Sequence, residues 1–182
     1  NPLNPVINVR AWGEDPLTVS ALASAFQRGL TEEGVLACAK HFPGHGATEI
    51  DSHLHLPIEE SDIRSLEQCE LLPFRAVIDG GVESVMTAHI LFRNIDSSYP
   101  VTFSPILINQ LLRKQLGFEG LVVTDALVME SISQTYGSSE AAVLAFEAGA
   151  DLLLMPSHPE KAIQAICDAL MSGRIPLERL CQ

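Results

Sequence analysis

Short apolar runs that alternate with amphipathic segments constrain the fold of this chain more than any other feature. Buried strands are predicted where these runs fall, at residues 35–41, 84–90, 121–125 and 151–155, with residues 6–9 as the end of a fifth. Successive runs are far apart, and the segments between them have helical spacing. Strands joined in this way pair in parallel through right-handed crossovers. The sequence therefore predicts an α/β fold with a mostly parallel sheet.

The segments between the strands carry helix signals. Helices are predicted at residues 17–30, 61–79, 104–117, 139–148 and 159–172. Ser104 and Pro105 occupy the favoured first positions of the third helix. Ser157 and Glu160 have the spacing of a capping box before the last helix, and Pro73 is expected to interrupt the second.

The length sets the number of units that the sheet can contain. The 182 residues make about one domain, whereas a closed eight-stranded barrel takes about 250 residues. Only four or five strand–helix units are visible in the sequence. Residues 1–182 are therefore either the C-terminal portion of a barrel or an open sheet. Part of a barrel leaves unpaired strand edges, so we expect an N-terminal barrel half or self-association to cover them.

Composition excludes several classes of protein. Apolar residues make up 47% and charged residues 19% of the chain, a globular balance. The net charge of −12 and the lack of a basic run argue against a nucleic-acid or membrane partner. The four cysteines include no CxxC pair, which favours reduced thiols and a cytoplasmic location. A small neutral ligand is the expected partner.

The densest group of chemically active residues lies at residues 40–55, which contain four of the six histidines. The segment reads KHFPGHG and is followed by DSH. In an extended segment, side chains two apart point the same way, so Asp51 and His53 can form a hydrogen bond. A carboxylate held against one imidazole nitrogen makes the other nitrogen a proton donor near neutral pH.

Polar residues end three of the predicted strands. Asp125 follows the apolar run LVVT, where a carboxylate is either a structural ion-pair member or a catalytic group. Lys40 and His41 end the first run, where they either bind a ligand or pair with a carboxylate. His89 ends the second run as a hydrogen-bonding group or a ligand contact. Because ligands bind at the carboxyl ends of parallel strands, these residues are expected to share one site.

The two groups suggest a division of labour. Asp125 would be the nucleophile, and His53 with Asp51 would donate and accept the proton. No cofactor is expected for this chemistry. His45 and His55 are expected to stabilise the loop.

Several motifs resemble glycoside hydrolase family 3. They are NPVINVRAWGEDP, KHFPGHG, DSH, VMTAHI and VVTDALVM, in the order of the family, from about residue 4 to residue 155. The likeness is strongest to the bacterial β-N-acetylglucosaminidases of that family, which act in peptidoglycan turnover. The resemblance implies a (β/α)8 barrel of the TIM type, of which this chain would hold four to five units.

The resemblance also implies roles for individual residues. Asp125 matches the nucleophile that forms a covalent glycosyl-enzyme, His53 matches the acid/base, and Asp51 matches its partner. The residues that would bind sugar hydroxyls are Lys40, His41 and Arg10.

The sequence is also compatible with other functions. A metal-dependent hydrolase could use the histidine-rich segment, although its spacing matches no common zinc pattern. A sugar-binding remnant without activity would keep the same residues. Within the family, the DSH segment argues against a β-glucosidase. A neutral histidine would not repel phosphate, so phosphorolysis beside hydrolysis is a further hypothesis.

Overall fold

The structure is a computed structural model that describes residue 1 and residues 3–181. Its strands are β1 (Cys38–Phe42), β2 (Ile58–Glu59), β3 (Ser84–Thr87), β4 (Leu91–Phe92) and β5 (Leu121–Thr124). Its α-helices are α1 (Pro16–Glu32), α2 (Ile63–Gln68), α3 (Leu71–Asp79), α4 (Glu130–Tyr136), α5 (Ser138–Ala148) and α6 (Pro159–Met171). A π-helix spans Ile106–Gln115, and 3-10 helices span Asn8–Arg10, Val101–Phe103 and Leu177–Cys181.

The main sheet is parallel, with β3 between β1 and β5. Thr87 at the end of β3 pairs with Phe42 of β1 and with Thr124 of β5. The carboxyl ends of the three strands are thus aligned, and the side chains beside them share one edge. Helices lie between successive strands of this sheet. The predicted α/β fold with parallel pairing is confirmed. A second, two-stranded parallel sheet joins β2 to β4.

The prediction of a strand at residues 6–9 is wrong, because the chain turns there into the 3-10 helix Asn8–Arg10. The side chain of Asn4 causes the turn. Its Oδ1 accepts the backbone N–H groups of Val6 at 2.9 Å and Ile7 at 2.7 Å. A local side-chain acceptor of this kind competes with the hydrogen bonds of a strand.

The predicted strand at residues 151–155 is reduced to a single parallel bridge between Leu152 and Val123. The N–H of Leu154 donates to the Oγ1 of Thr124 at 2.9 Å instead of to a backbone carbonyl. Met155 has a positive φ of 48°, which is incompatible with an extended strand. The segment still lies beside β5, so it continues the sheet order without forming a ladder.

Two details of the predicted helices are also wrong. The break in 61–79 falls between α2 and α3, at Cys69 and Glu70, and Pro73 lies in the first turn of α3, where its missing N–H costs nothing. No capping box precedes α6, because Pro159 sets the first turn and the side chain of His158 makes no capping hydrogen bond. At the predicted start of the third helix, Ser104 acts as the expected cap, since its Oγ accepts the N–H of Leu107 at 3.2 Å.

The hydrophobic core lies between the main sheet and its helices, with α1 packed on α3 and α5 packed on α6. Its largest fully buried side chains include Phe42, Phe92, Phe103, Leu66, Leu71, Leu107, Leu111 and Leu127. Within residues 1 and 3–181, no helix has both the length and the apolar character needed to cross a membrane.

An ion-pair cluster holds the amino end of β5, opposite the edge where the polar residues gather. Asp151 accepts the N–H of Val122 at 2.8 Å and pairs with Arg113 at 2.6 Å and Arg179 at 3.2 Å. Arg113 also donates to the carbonyl of Gly120. Charged groups at the amino ends of parallel strands generally serve stability, and this cluster ties four segments to the base of the sheet.

Candidate active site

Asp125 directly follows β5 at the carboxyl edge of the main sheet. Its Oδ1 accepts the N–H of Ala126 at 2.8 Å, and its Oδ2 lies 3.7 Å from the Nε2 of His41. The side chain is 18% exposed. Among the described residues, Oδ2 accepts no hydrogen bond, so one carboxylate oxygen is held by the backbone while the other can react with a ligand.

His41 lies at the end of β1, buried beside Asp125. Burial lowers the pKa of His41 to about 3, against the opposing effect of the Asp125 carboxylate. The ring is therefore neutral near pH 7. Its Nδ1 is buried and has no hydrogen-bond partner in the described part of the chain. A buried polar atom without a partner is rare, and a hydroxyl group of a bound ligand would satisfy this one.

Asp51 and His53 form the predicted pair. The Nδ1 of His53 lies 2.7 Å from the Oδ1 of Asp51, and the same oxygen accepts the backbone N–H of His53 at 2.9 Å. The predicted contact is confirmed, but the segment is a turn and not extended, since the carbonyl of Asp51 accepts the N–H groups of Leu54 and His55. The N–H of His53 is the main cause that lowers the pKa of Asp51. His53 is 56% exposed, and its Nε2 has no hydrogen-bond partner among the described residues.

A buried network holds the loop between β1 and the Asp51–His53 pair. His45 contacts the Oγ of Ser52 through Nε2 at 2.7 Å and the Oγ1 of Thr48 through Nδ1 at 3.0 Å. The Nδ2 of Asn4 donates to the carbonyl of His45 at 2.6 Å. Burial lowers the pKa of His45, so its ring is neutral. The loop-stabilising role predicted for His45 is confirmed by these contacts.

His89 lies just beyond β3 and contacts the residue that follows Asp125. It is fully buried, its Nδ1 lies 2.8 Å from the Oγ1 of Thr102, and its Nε2 lies 3.1 Å from the carbonyl oxygen of Ala126. Both ring nitrogens thus have partners inside the protein. Of the two roles open to His89, this geometry favours the hydrogen-bonding group over the ligand contact.

Lys40 and Arg10 are exposed beside this cluster, Lys40 on β1 and Arg10 in the first 3-10 helix. Neither forms an ion pair within the described residues. After the larger effect of burial, both positive charges contribute to lowering the pKa of His41. Their predicted contact with sugar hydroxyls stays a prediction.

The fold brings Asp125, His41 and His89 together at one sheet edge, whereas the Asp51–His53 pair lies on a loop. Among the described residues, His41 is the only ion-pair partner of Asp125, and His53 pairs with Asp51 instead. Asn4, Thr102 and Ser52 also hold the site together and were not predicted as site residues. Asn4 and Ser52 each carried a signal, because Asn4 begins the NPVINVRAWGEDP motif and Ser52 lies inside the DSH motif.

No three His, Cys, Asp or Glu side chains are arranged to hold a metal ion in the residues that the structure describes. The histidine-rich segment instead divides its rings between Asp125, Ser52 and Asp51.

Residues 1–182 match the model of the glycosyl hydrolase family 3 N terminal domain. The chain is 42% identical over 156 residues to a beta-hexosaminidase of Neisseria meningitidis serogroup B, a match that covers 86% of this chain and 43% of that protein. Its fold is similar to that of a family 3 beta-N-acetylglucosaminidase from Paenibacillus sp. FPU-7, with a TM-score of 0.95, 46% identity, and coverage of 98% of this chain and 35% of that one.

A third similar structure is the beta-glucoside phosphorylase BglX bound to 2FGlc, with a TM-score of 0.93 and 32% identity over 99% of this chain and 34% of that one. The match to the family model over residues 1–182, on a parallel α/β fold, identifies a glycoside hydrolase domain. The chain belongs to glycoside hydrolase family 3. It spans less than half the length of the relatives named here.

Proposed function

We propose that this chain carries the reactive groups of a retaining exo-β-N-acetylglucosaminidase, with Asp125 as nucleophile and His53, paired with Asp51, as acid/base. The observation that carries the proposal is the 2.7 Å contact between Asp51 and His53 on a loop tied to the segment after Asp125. That tie is the hydrogen bond from the N–H of Glu130 to the carbonyl of His53.

The reaction proceeds in two steps. In the first, the Oδ2 of Asp125 bonds to the anomeric carbon while the glycosidic C–O bond breaks, and the Nε2 of His53 gives its proton to the leaving oxygen. In the second, His53 takes a proton from water, whose oxygen attacks the anomeric carbon and releases Asp125 as a carboxylate. Two displacements retain the configuration of the sugar.

The pair of oxygens on Asp125 suits this role. Oδ1 is occupied by the N–H of Ala126, so the carboxylate presents Oδ2 alone. The neutral ring of His41 beside Oδ2 leaves the nucleophile without a full counter-charge. An ion-paired carboxylate would be a weaker nucleophile, because the cation stabilises its charge before the reaction.

His41, Lys40 and Arg10 are proposed to bind the sugar. The partnerless Nδ1 of His41 supports a polar contact with the ligand, and the exposed cations have hydrogen-bond donors free for hydroxyl groups. The substrate proposed is a terminal β-linked N-acetylglucosamine, as in peptidoglycan fragments. The names of the Neisseria and Paenibacillus relatives support this choice.

We also propose that the main sheet is part of a (β/α)8 barrel to which this chain contributes four to five units. The parallel order of β1, β3 and β5, continued by the bridge at Leu152, supports the proposal. β1 is an edge strand of this sheet, and the apolar residues Val35 and Leu36 just before it are exposed. Pairing there with an N-terminal barrel half would cover them.

The test is covalent trapping in the full-length protein. A 5-fluoro-N-acetyl-β-glucosaminyl fluoride should label the wild-type protein on a peptide that contains residues 121–129, and Asp125→Asn should remain unlabelled. Label on another carboxylate, or none with a protein that turns over aryl N-acetylglucosaminides, would contradict the assignment. A folded wild-type protein that binds the sugar without turnover would identify a binding module instead.

Phosphorolysis is a second candidate activity, favoured by the similarity to a beta-glucoside phosphorylase. A neutral imidazole does not repel an incoming phosphate as a carboxylate would. Product analysis in phosphate buffer distinguishes the two activities, because phosphorolysis yields a sugar 1-phosphate and hydrolysis yields the free sugar.

A further inference from the structure

We propose that His89 is a positioning residue, which orients Asp125 by fixing the backbone of Ala126. The inference rests on the nucleophilic role proposed above for Asp125. His89 itself is fully buried and contacts neither solvent nor the carboxylate of Asp125. Its effect on the reaction must therefore pass through the groups that it touches.

The hydrogen-bond partners of His89 determine its tautomer. The carbonyl of Ala126 can only accept, so the Nε2 of His89 carries the proton that is donated to it. Burial lowers the pKa of His89, which keeps the ring neutral. Its Nδ1 consequently accepts the hydroxyl proton of Thr102 at 2.8 Å.

The direction of the hydrogen bond between Thr102 and Thr87, which lies on β3, follows from the same rule. The hydroxyl of Thr102 has two acceptors within reach, the Nδ1 of His89 at 2.8 Å and the carbonyl of Ala88 at 3.1 Å. Its single proton is used on them, so Thr102 accepts from the Oγ1 of Thr87 at 3.1 Å. The result is a directed chain of hydrogen bonds that runs from Thr87 through Thr102 and His89 to Ala126. It joins β3 to the first residues after β5 inside the core.

The peptide group between Ala126 and Leu127 is held at both ends. His89 binds its carbonyl oxygen, and its N–H, on Leu127, donates to the carbonyl of Leu154 at 2.9 Å. This fixed peptide plane restrains the rotation of Ala126, whose own N–H binds the Oδ1 of Asp125 at 2.8 Å. His89 thus acts on the nucleophile through one residue.

The orientation matters because a misplacement of about 1 Å in a reacting group can cost about 100-fold in rate. Without the bond to His89, the peptide plane is held only through its N–H by Leu154, so Ala126 is less restrained and its N–H selects one oxygen of Asp125 less strictly. A change of this kind lowers kcat and leaves the sugar-binding groups, and hence KM, nearly unchanged.

Two substitutions separate positioning from packing. His89→Gln keeps an amide N–H near the place of Nε2, whereas His89→Asn keeps polar atoms only near the place of Nδ1. In the full-length protein, His89→Asn should lower kcat on an aryl N-acetylglucosaminide by about 10- to 100-fold, the range for groups that orient a reactive ligand. KM should change by less than about threefold, and His89→Gln should recover most of the lost kcat.

The outcomes are distinguishable. Equal kcat in both variants and the wild-type protein, or losses that only follow their melting temperatures, would overturn the inference and leave the role of Asp125 intact. A wild-type protein that neither turns over nor labels at Asp125 would refute the proposed function, and this inference with it.

A second measurement needs no variant and applies even if both substitutions prevent folding. A long-range 1H–15N spectrum of the 15N-histidine-labelled protein reports the tautomer of each ring. The inference requires a proton on the Nε2 of His89 that persists between pH 5.5 and 8. A proton on Nδ1, or a ring that titrates in this range, would overturn it.

Discussion

The backbone N–H of Glu130 donates a 3.0 Å hydrogen bond to the carbonyl oxygen of His53. Glu130 begins α4, shortly after Asp125 in the chain. The loop that carries the proposed acid/base is therefore fastened to the segment that follows the proposed nucleophile. The side chain of His53 remains mostly exposed, so the attachment acts on the backbone, and the ring is held by Asp51 alone.

Loss of the proposed acid/base should depend on the leaving group. In the full-length protein, His53→Ala should reduce kcat/KM by about 10²- to 10⁴-fold for N-acetylglucosaminides with poorly acidic leaving groups, the usual contribution of general acid catalysis. Substrates with acidic phenols should lose far less, because they leave without a proton. Steady-state kinetics over a series of phenols measures the difference.

The matched control for His53 is His55→Ala, which removes a second exposed histidine from the same turn. It should retain wild-type kinetics. An equal loss for every phenol in His53→Ala, or an equal loss in His55→Ala, would contradict the assigned role.

The pH dependence of stability should follow from the buried histidines. Burial lowers the pKa values of His41, His45 and His89 in the fold, whereas in the unfolded chain they titrate near 6.5. The unfolded state then binds more protons at acid pH, so unfolding becomes easier as the pH falls. The stability is fully present above pH 6.5 and, for His41, is lost progressively toward about 3.

Urea unfolding at pH 7.5 and pH 5 measures this effect as a lower midpoint at pH 5. His41→Gln should reduce the difference, since glutamine does not titrate, and the slope of stability against pH should fall by up to about one proton. A midpoint that is unchanged between the two pH values, or an unchanged slope in the variant, would contradict the neutral state of His41.

The cluster at the amino end of β5 should matter for stability and not for catalysis. Asp151→Asn removes the charge that pairs with Arg113 and Arg179 and should lower the free energy of unfolding by about 1–3 kcal/mol. Denaturant unfolding checks this value. The control is Glu60→Gln, which breaks the exposed pair with Arg93 and should cost less than about 1 kcal/mol. Equal effects would show that the Asp151 cluster is no stronger than a surface pair.

The close approach of the residue before β5 to the residue before β3 leaves no room beside Gly120. A Cβ there would lie 2.4 Å from the carbonyl oxygen of Glu83, a backbone atom that cannot move aside alone. Gly120→Ala should therefore destabilise the protein by about 1–3 kcal/mol through strain. Gly29→Ala is the control, because Gly29 lies within α1 with nothing near its absent side chain. It should raise the melting temperature, since alanine favours helix by about 1 kcal/mol. A harmless Gly120→Ala would refute the proposed close approach.

The parts of the fold that depend on local pattern were predictable from the sequence. The apolar runs at β3 and β5 predicted the strands, and the length of the segments between them predicted parallel pairing. The contact between Asp51 and His53 followed from their spacing and holds in a turn as well as in a strand. In each of these cases, residues close in sequence determine the outcome.

The parts that depend on distant partners could not be predicted. Asn4 bends residues 6–9 out of an extended conformation and also binds the loop of His45. The Oγ1 of Thr124, and not a backbone carbonyl, accepts the N–H of Leu154, and this shortens the strand predicted at residues 151–155. The bond from Asn4 to the loop of His45 and the bond from Leu154 to Thr124 join residues far apart in sequence, which no local pattern signals. The turn that Asn4 makes is local, since its side chain binds the N–H groups two and three residues on, and there the apolar run wrongly predicted a strand.

The double use of Asn4 has a practical consequence for chimeric enzymes. The side-chain amide of Asn4 accepts the N–H of Ile7 through its oxygen and donates to the histidine-rich loop through its nitrogen. Transplanting that loop from a relative without its matching N-terminal segment would transfer the histidines of the loop without the amide that holds their backbone. The N-terminal segment and the loop should therefore be exchanged together, although about 40 residues separate them.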